Sequence, residues 1–219
     1  MGSASTWGTA LAVVLVAYFC GSIPWGFLIG KFNGLDLRRH GSGNIGATNV
    51  RRVLGRDWGM LCFALDFLKG LVPVLIAGHA VGGESAAMAE YVRILAGAAA
   101  VVGHIWPFTL GFRGGKGMST TVGVLLAIAP GPIVIAVLGW LLVFQVSRFV
   151  SLATLAAAVL LPLSGGILHA LRGRPSLPAL VLLLGLAVLI VARHRGNLTR
   201  LRQGTEYRFE RPRRGGASG

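Results

Sequence analysis

The segment WGMLCFALDFLKGLVPVLIAGHA, residues 58–80, is an almost unbroken apolar run with only two strongly charged side chains, Asp66 and Lys69. A helix rises about 1.5 Å per residue, so a run of this length crosses the roughly 30 Å hydrocarbon core of a bilayer. The segment therefore predicts a membrane-spanning helix. Because the two charges lie three positions apart on one helix face, deep in the span, we expect them to form a structural ion pair.

The remainder of the chain has the same character. Hydrophobic residues make up 54% and charged residues 13% of the 219 residues, and the mean hydropathy is +0.71. This composition excludes a soluble protein. The two cysteines, Cys20 and Cys62, lie in apolar runs and form neither a zinc motif nor a disulfide framework. We expect one polytopic membrane domain at residues 1–209, followed by a basic, disordered tail at residues 210–219.

Seven apolar runs predict an all-α integral membrane protein with about seven transmembrane helices. No basic residue precedes the first run, so we expect it to remain as a span rather than act as a cleaved signal peptide. Gly21 and Pro24 interrupt this run and predict a kink. The runs cover residues 7–29, 58–80, 91–112, 121–129, 133–146, 149–169 and 177–192.

The distribution of positive charge predicts the orientation. With the N-terminus outside, the C-terminus in the cytoplasm and seven crossings, most of the 21 Lys and Arg residues lie on the cytoplasmic side, as the positive-inside rule requires. A single kinked span through the Pro-Gly-Pro sequence at residues 130–132 would divide the charges evenly, so the bias favours a turn there. A re-entrant hairpin over residues 119–146 gives the same parity and stays open.

Three polar, glycine-rich segments fall on this predicted cytoplasmic side: GSGNIGATNVRR at residues 41–52, GHIWPFTLGFRGGKG at residues 103–117 and NLTRLRQGTE at residues 197–206. Glycine allows backbone N–H groups to face a ligand, arginine binds phosphate through two donors, and a lysine between glycines adds a point charge. The pattern indicates a phosphate site at a membrane surface. A basic anchor for anionic headgroups is the simpler alternative.

Two segments partly resemble nucleotide-binding motifs, the dinucleotide-binding fingerprint and the P-loop, but neither meets all the requirements of its motif. Gly41, Gly43 and Gly46 have the dinucleotide spacing without the strand that must precede it. Lys116 follows two glycines, but Leu110 stands where a P-loop requires glycine, and no Ser or Thr follows the lysine. Paired carboxylates for magnesium are missing on this side. We therefore expect no nucleotide hydrolysis, no metal and no cofactor.

In this order, the three segments resemble the three motifs of the bacterial acyl-phosphate-dependent glycerol-3-phosphate acyltransferases. The matching patterns are Ser-Gly-Asn-x-Gly-Ala-Thr-Asn-x-x-Arg at residues 42–52, Gly-His…Pro…Phe-x-Gly-Gly-Lys-Gly at residues 103–117 and Asn…Arg-Leu…Gly-Thr-Glu at residues 197–206. The resemblance covers nearly the whole chain. It implies transfer of a fatty acyl group from acyl phosphate to the 1-hydroxyl of sn-glycerol 3-phosphate, which yields 1-acyl-sn-glycerol 3-phosphate and phosphate, in the bacterial cytoplasmic (inner) membrane.

Chemistry and resemblance together suggest the site residues. We expect Arg52 and Lys116 to bind the phosphate of glycerol 3-phosphate, the small polar residues of the first segment to orient the substrates, and the glycines beside Lys116 to offer backbone contacts. The expected catalytic residues are Ser42, Asn44, Arg52, His104, Lys116, Asn197 and Glu206. The expected substrate-binding residues are Gly43, Thr48, Asn49, Gly114, Gly115, Gly117 and Ser151.

Several of these residues have a plainer interpretation. Thr48 and Asn49 are also suited to cap the helix that follows the glycine-rich loop. His104 ends a predicted span, where a histidine is commonly structural. A serine at a span entrance, such as Ser151, is commonly a cap. Glu206 is suited either to order a basic residue or to help deprotonate the glycerol hydroxyl, and the substrate phosphate is a further proton acceptor.

Other functions fit the sequence less well. Acyltransferases that use acyl-CoA or acyl carrier protein have a His followed five positions later by Asp, and no histidine here has this spacing. A transporter of a phosphorylated solute or anion is the alternative from another class, but transporters bind substrate near the midplane and contain repeats. The expected partners are the two substrates and membrane lipid, without nucleic acid, and the protein can act as a monomer.

Overall fold

In the computed structural model, the described residues are 4–81, 83 and 85–209, and they form an all-helical protein. The ten α-helices are α1 (Ala4–Gly21), α2 (Trp25–Phe32), α3 (Ala47–Leu54), α4 (Arg56–Ala80), α5 (Ala86–Ile105), α6 (Met118–Ile128), α7 (Pro130–Ser147), α8 (Val150–Arg172), α9 (Leu177–Arg193) and α10 (Arg195–Arg202). The predicted all-α fold class is confirmed. The predicted tail at residues 210–219 lies outside the described residues.

Within the described part of the chain, five helical segments are long and apolar enough to cross a membrane, and α9 with α10 makes a sixth if this bent pair is one span. Each predicted apolar run is mainly helical, but the third run, predicted to reach residue 112, leaves its α-helix after Ile105. However, α6 has only 11 residues, about 17 Å of helix, which is short of the roughly 30 Å hydrocarbon core. The number of crossings and their orientation therefore stay predictions.

The first span is broken at Ser22 to Pro24, as the sequence predicts, and the break is held by a buried ion pair. The Lys69 ammonium lies 2.8 Å from the Asp66 carboxylate and donates a hydrogen bond of 2.7 Å to the carbonyl of Ile23. Both side chains are at most 4% exposed. The expected structural ion pair is confirmed, and it stabilises a backbone carbonyl that the helix break leaves without its usual partner.

Helices α4 and α6 approach each other through glycine. A Cβ atom on Gly70 would collide with the Thr120 carbonyl, and one on Gly123 would collide with the Phe67 carbonyl. This close packing fixes the N-terminal end of α6, which directly follows Lys116. The short helix thereby places the second glycine-rich segment against α4 and α5.

A break at Ala129 separates α6 from α7, which begins at Pro130, a favoured position for proline in a helix. The Pro-Gly-Pro sequence itself is helical, and the interruption lies one residue before it, so the predicted turn between two crossings stays a prediction. Beyond it α7 packs mainly on α8, whereas α6 packs on α4. The Arg93 guanidinium donates a hydrogen bond to the Ala127 carbonyl near the C-terminal end of α6. The two helices are thus separate elements with different neighbours.

The largest buried core joins the middle and C-terminal helices, through side chains such as Val74, Val101, Val124, Leu161 and Leu183, all at most 1% exposed. Many large apolar side chains instead point away from the protein. Leu142, Val181 and Leu171 are each more than 65% exposed. An outer surface of this kind suits contact with lipid chains.

Candidate functional site

Lys116 lies in a loop that folds back over the end of α5. Gly114 N–H donates to the Ile105 carbonyl at 3.0 Å, and Gly115 N–H donates to the His104 carbonyl at 3.2 Å. A Cβ atom on Gly114 would collide with the His104 carbonyl. These two glycines were expected to present N–H groups to a ligand, but their N–H groups satisfy α5 carbonyls. Their role here is to bring Lys116 close to the helix end.

Gly117 has a different role, because its φ of 83° is favourable mainly for glycine. It is the N-cap of α6, and no side chain caps this helix end. The partial positive charge of a helix N-terminus therefore lies immediately after Lys116 in the chain. Both features favour an anion at this position.

A chain of hydrogen bonds joins Lys116 to the third segment. The Lys116 ammonium donates to Asn197 Oδ1, and Asn197 Nδ2 donates to Glu206 Oε1 at 2.6 Å. Arg200 Nε donates to the other carboxylate oxygen at 2.8 Å. The structure thus brings together three of the expected site residues, Lys116, Asn197 and Glu206, from segments about 80 residues apart.

Burial, hydrogen bonds and nearby charges together set the pKa values of Lys116 and Glu206, the two ends of this hydrogen-bonded chain. Burial lowers the pKa of Lys116 to about 8; nearby Glu206 opposes this change, while Arg200, Arg193 and Arg52 favour it. Burial raises the pKa of Glu206, but hydrogen bonds from Asn197 and Arg200 outweigh it, so the net pKa is lowered. Near neutral pH the site therefore holds a cationic lysine and an ionised glutamate.

Several buried donors near the motif segments and residues 207–209 lack a well-aligned hydrogen bond within the described part of the chain. Among the described residues, Nε of Arg52, Arg148 and Arg193 and Oγ of Ser151 have no hydrogen-bond partner of standard geometry. Unsatisfied buried donors cost free energy, so native proteins usually satisfy them with protein, water or ligand. Arg193 also donates from Nη2 to the Gly115 carbonyl at 3.2 Å. The cluster is therefore suited to an anionic ligand.

Ser151 lies in the first turn of α8, is 4% exposed, and adds to the lowering of the Glu206 pKa. No side chain caps this helix, so the alternative role of Ser151 as a helix cap is wrong. Its position beside the Glu206 carboxylate is compatible with the expected role in substrate binding.

Asn49 holds the first glycine-rich segment in shape. Its side-chain oxygen accepts from Ser42 N–H at 2.8 Å, and its Nδ2 donates to the carbonyls of Asn44 at 2.7 Å and His40 at 3.0 Å. The residue is 2% exposed. Because both ends of its amide are occupied, Asn49 acts here as the support of the loop.

The other polar residues of this segment are more accessible. Ser42, Gly43 and Thr48 are exposed, and Asn44 accepts a hydrogen bond of 2.8 Å from Gly46 N–H. Gly46 is the N-cap of α3 and no side chain caps the helix. The alternative interpretation of Thr48 and Asn49 as helix caps is therefore wrong. The hydrogen bonds of Ser42 N–H with Asn49 and of the Asn44 side chain with Gly46 lie within the first segment.

Arg52, near the end of α3, links the first segment to the other two. Its guanidinium carbon lies 4.0 Å from the centre of the Tyr207 ring, and its charge acts on Lys116. Residues 207–209 cross the junction of α7 and α8, where Phe209 N–H donates to the Arg148 carbonyl at 3.0 Å. Residues 207–209 therefore connect the first motif, through Arg52, with the junction of α7 and α8.

His104 lies beneath the Lys116 loop and is 5% exposed. Its Nδ1 lies 3.1 Å from Thr120 Oγ1 and 3.6 Å from Asp66 Oδ1, and a Cβ atom on Gly115 would collide with its Nε2. Since the Thr120 hydroxyl donates to the Asp66 carbonyl at 3.0 Å, it accepts from Nδ1. His104 therefore supports the loop and turns Nε2 towards Gly115.

Three residues of the site were not predicted: Arg193, Arg200 and Tyr207. Arg200 belongs to the Arg-Leu pair of the third motif, so the pattern contained a signal for it. From the sequence, Arg193 was interpreted only as a positive charge at the cytoplasmic end of a span, and Tyr207 only as the beginning of the basic tail. Neither has a local signal, because each reaches the site only through tertiary contacts.

Comparison with known proteins identifies the family of this chain. Residues 11–204 match the family model described as glycerol-3-phosphate acyltransferase. The chain is 43% identical over 200 residues to the glycerol-3-phosphate acyltransferase of Aquifex aeolicus (91% of this chain, 99% of the relative), and 42% identical to that of Geobacter sulfurreducens (91% and 97%).

Its fold is similar to the crystal structure of PlsY (YgiH), an integral membrane glycerol 3-phosphate acyltransferase, in its glycerol 3-phosphate form, with a TM-score of 0.82 and 42% identity, covering 92% of this chain and 96% of that chain. The lysophosphatidic acid form gives a TM-score of 0.79 at 41% identity, covering 92% and 95%. This chain, a multi-pass membrane acyltransferase, belongs to the glycerol-3-phosphate acyltransferase family.

Proposed function

We propose that this protein transfers a fatty acyl group from acyl phosphate to the 1-hydroxyl of sn-glycerol 3-phosphate, releasing 1-acyl-sn-glycerol 3-phosphate, a lysophosphatidic acid, and inorganic phosphate. Acylation of glycerol 3-phosphate is the activity for which the family is named. The acyl phosphate donor and the lysophosphatidic acid product are the new parts of the proposal. The reaction is the first acylation of phospholipid synthesis.

The observation that carries the proposal is the cationic cluster at the meeting point of the three motifs. Lys116, Arg52 and Arg193 come from different segments. In the described part of the chain, Nε of Arg52 and of Arg193 is buried without a hydrogen-bond partner. Both proposed substrates carry phosphate. A site with several fixed cations and a helix N-terminus suits such ligands.

The proposed reaction requires no covalent catalysis by the protein. The glycerol oxygen forms a bond to the acyl carbon, the bond from that carbon to the phosphate oxygen breaks, and inorganic phosphate leaves. Because phosphate is a good leaving group, neither a covalent enzyme intermediate nor a strong acid is required. Positioning of the two substrates and stabilisation of negative charge provide most of the rate.

The proton of the glycerol hydroxyl needs an acceptor. Glu206 is a poor candidate, because its carboxylate already accepts from Asn197 and Arg200 and its pKa is lowered. We assign this residue the ordering of Asn197 and Arg200, and through Asn197 the placement of Lys116. A phosphate oxygen of a substrate then takes the proton.

The remaining roles follow from position. Lys116 and Arg52 bind the phosphate of glycerol 3-phosphate, with Ser151 and Arg193 adjacent. Ser42, Gly43, Asn44 and Thr48 form the accessible surface that orients the reacting groups. His104, Gly114, Gly115 and Gly117 set the position and conformation of the Lys116 loop. Asn49 keeps the first segment folded.

We place the site on the cytoplasmic side of the bacterial inner membrane. In the arrangement with seven crossings, the three motif segments fall on the same side as most of the 21 Lys and Arg residues, and the positive-inside rule assigns that side to the cytoplasm. Glycerol 3-phosphate then reaches the site from water, while the lipid donor reaches it from the bilayer.

The proposal is tested with purified protein in lipid micelles, labelled glycerol 3-phosphate and either palmitoyl phosphate or palmitoyl-CoA. We expect labelled lysophosphatidic acid from the acyl phosphate alone, and its loss in Lys116→Ala. Product from palmitoyl-CoA alone would keep the acyltransferase activity and overturn the donor. No product from either donor, in protein that unfolds cooperatively on heating, would overturn the proposed reaction.

A further inference from the structure

The last described residues, 207–209, form a short strap between α3 and the junction of α7 and α8. Tyr207 directly follows Glu206, so the strap begins where the third motif ends. The match to the family model ends earlier, at residue 204. The strap therefore lies outside the residues that match the family, and it has no role in the reaction as described above.

One side of the strap is anchored on the junction of α7 and α8. Phe209 N–H donates to the Arg148 carbonyl at 3.0 Å, and Arg208 Nε donates to the Ser147 carbonyl at 3.3 Å. The Phe209 ring also meets the Phe144 ring edge to face, with ring centres 5.8 Å apart. Two hydrogen bonds and an aromatic contact thus fix the backbone of the strap.

The other side of the strap contacts two neighbouring arginines in the last turn of α3. The guanidinium carbon of Arg52 lies 4.0 Å from the centre of the Tyr207 ring, and that of Arg51 lies 5.2 Å from the centre of the Phe209 ring. The two rings contact each other, with centres 5.0 Å apart. Both arginines are within the about 6 Å that a cation–π contact allows, and the Arg52 contact is the shorter.

The contact with Tyr207 leaves the charge of Arg52 available. Among the described residues, no carboxylate pairs with this guanidinium, whereas Arg200 is paired with Glu206 at 2.8 Å. An aromatic ring attracts a guanidinium through its π-electrons and does not neutralise it. A carboxylate in the same place would compete with a phosphate. Tyr207 therefore holds Arg52 while its charge stays free for an anion.

The donors of Arg52 are available as well. Its Nε is buried without a hydrogen-bond partner in the part of the chain that the structure describes. The pKa of Lys116 is lowered by burial and by nearby cations that include Arg52, so the two charges repel each other. A phosphate bound by both side chains satisfies these donors and offsets the repulsion.

We propose that Tyr207 is a positioning residue for glycerol 3-phosphate, whose ring holds the Arg52 guanidinium in the conformation that binds the substrate phosphate. This assignment rests on the proposed function, in which Arg52 binds that phosphate. An arginine side chain loses rotamer freedom when it binds a ligand, and one that is already fixed loses less. Tyr207 acts through Arg52 and does not itself touch the substrate.

Direct binding of labelled glycerol 3-phosphate to the purified protein in lipid micelles tests the role of the ring. Tyr207→Leu keeps an apolar side chain and removes the ring. We expect its Kd to rise about fivefold, which corresponds to about 1 kcal/mol, the size of an exposed cation–π contact. Tyr207→Phe keeps the ring, so its Kd should equal that of the wild type. The matched control is Tyr91→Leu on α5, because Tyr91 is 52% exposed and Tyr207 is 45% exposed; it should bind like the wild type.

Kinetics separate positioning from a loss of structure. Arg52 binds the substrate phosphate before and during the reaction, so Tyr207→Leu should raise KM for glycerol 3-phosphate about fivefold, as it raises Kd, and leave kcat unchanged. Partial unfolding would instead lower kcat at constant KM, because fewer molecules would be active. A lower kcat with an unchanged KM in Tyr207→Leu would therefore overturn the positioning role.

The remaining outcomes distinguish Tyr207 from the proposed reaction. An unchanged Kd in Tyr207→Leu overturns the positioning role and leaves the proposed function standing. An equal rise of Kd in Tyr207→Leu and Tyr207→Phe would assign the effect to the hydroxyl and also overturn it. If the wild type forms no product from acyl phosphate, the proposed donor is wrong, and the Kd values, which require no donor, still decide the role of Tyr207.

Discussion

Lys116 combines a charge that binds phosphate with a pKa that burial lowers to about 8. Because only the protonated form attracts the substrate, kcat/KM for glycerol 3-phosphate should fall as the pH rises above about 8. In Lys116→Arg the charge persists at all accessible pH values, so the falling limb should move to higher pH, even if the rate is lower. A falling limb that is unchanged in this variant, measured from pH 6 to 10, would assign the titration to another group.

Glu206 is predicted to order its neighbours rather than to accept the proton. Glu206→Gln removes charge-assisted hydrogen bonds to Arg200 and Asn197, which are worth about 1.5–3 kcal/mol each. We expect kcat/KM to fall about 10- to 100-fold, with the acid limb of the pH profile unchanged in shape. Loss of that limb in the variant would instead identify Glu206 as the base.

Asn49 and Thr48 are neighbours with opposite expected behaviour. Asn49→Ala removes the hydrogen bonds to Ser42, Asn44 and His40 and should destabilise the protein by about 2–4 kcal/mol, since buried groups lose their partners. Thr48→Val changes an exposed side chain and should alter stability by less than about 0.5 kcal/mol, while it lowers activity. Thermal unfolding in detergent measures both. Equal melting temperatures for the two variants would contradict the role of Asn49 as loop support.

Among the helices, the contact of α4 with α6 depends on the missing side chain of Gly123. Gly123→Ala places a Cβ against the Phe67 carbonyl, and overpacking of this kind costs about 1–3 kcal/mol. In the control Gly185→Ala, on α9, the new Cβ meets no atom within 4 Å, and alanine favours the helix by about 0.5–1 kcal/mol. We expect the melting temperature to fall in the first variant and to hold or rise in the second. A fall of equal size in both would show that the α4–α6 contact is not sensitive to volume.

The α6–α7 region shows how far an element can be predicted. The proline and glycine at residues 130–132 correctly indicated a break, because proline lacks the N–H group that would continue the α6 helix. The length of α6 was also visible in the apolar run. The packing of α6 on α4 could not be predicted from the sequence, because the contacts of Gly70 and Gly123 that hold the two helices together join residues far apart in the chain.

The predicted orientation of the complete protein follows from charge, and it is testable by labelling. In a background of Cys20→Ser and Cys62→Ala, a cysteine at Arg174, between α8 and α9, should react with a membrane-impermeant maleimide in intact spheroplasts. A cysteine at Thr199, on α10, should react only after lysis, since the positive-inside rule places this end in the cytoplasm. Both positions are exposed. The reverse labelling pattern would invert the topology and place the proposed site on the wrong side for its substrate.

The sequence by itself determined the membrane setting and the helical fold class, and it predicted the kind of ligand. Each depends on local properties: the length of apolar runs, the placement of glycine and the density of arginine and lysine. The ion pair of Asp66 and Lys69 was also predictable, because three positions on a helix bring two side chains to the same face.

Only the tertiary structure decided which of these residues meet. Lys116 and Asn197 are 81 positions apart, and Arg193 and Tyr207 enter the site from elements that carry no local signal for it. It also showed that Gly114 and Gly115 support a helix end and that Asn49 supports a loop. The physical reason is that hydrogen-bond partners and burial are properties of packed neighbours, and packing brings together residues whose proximity the order of the chain does not reveal.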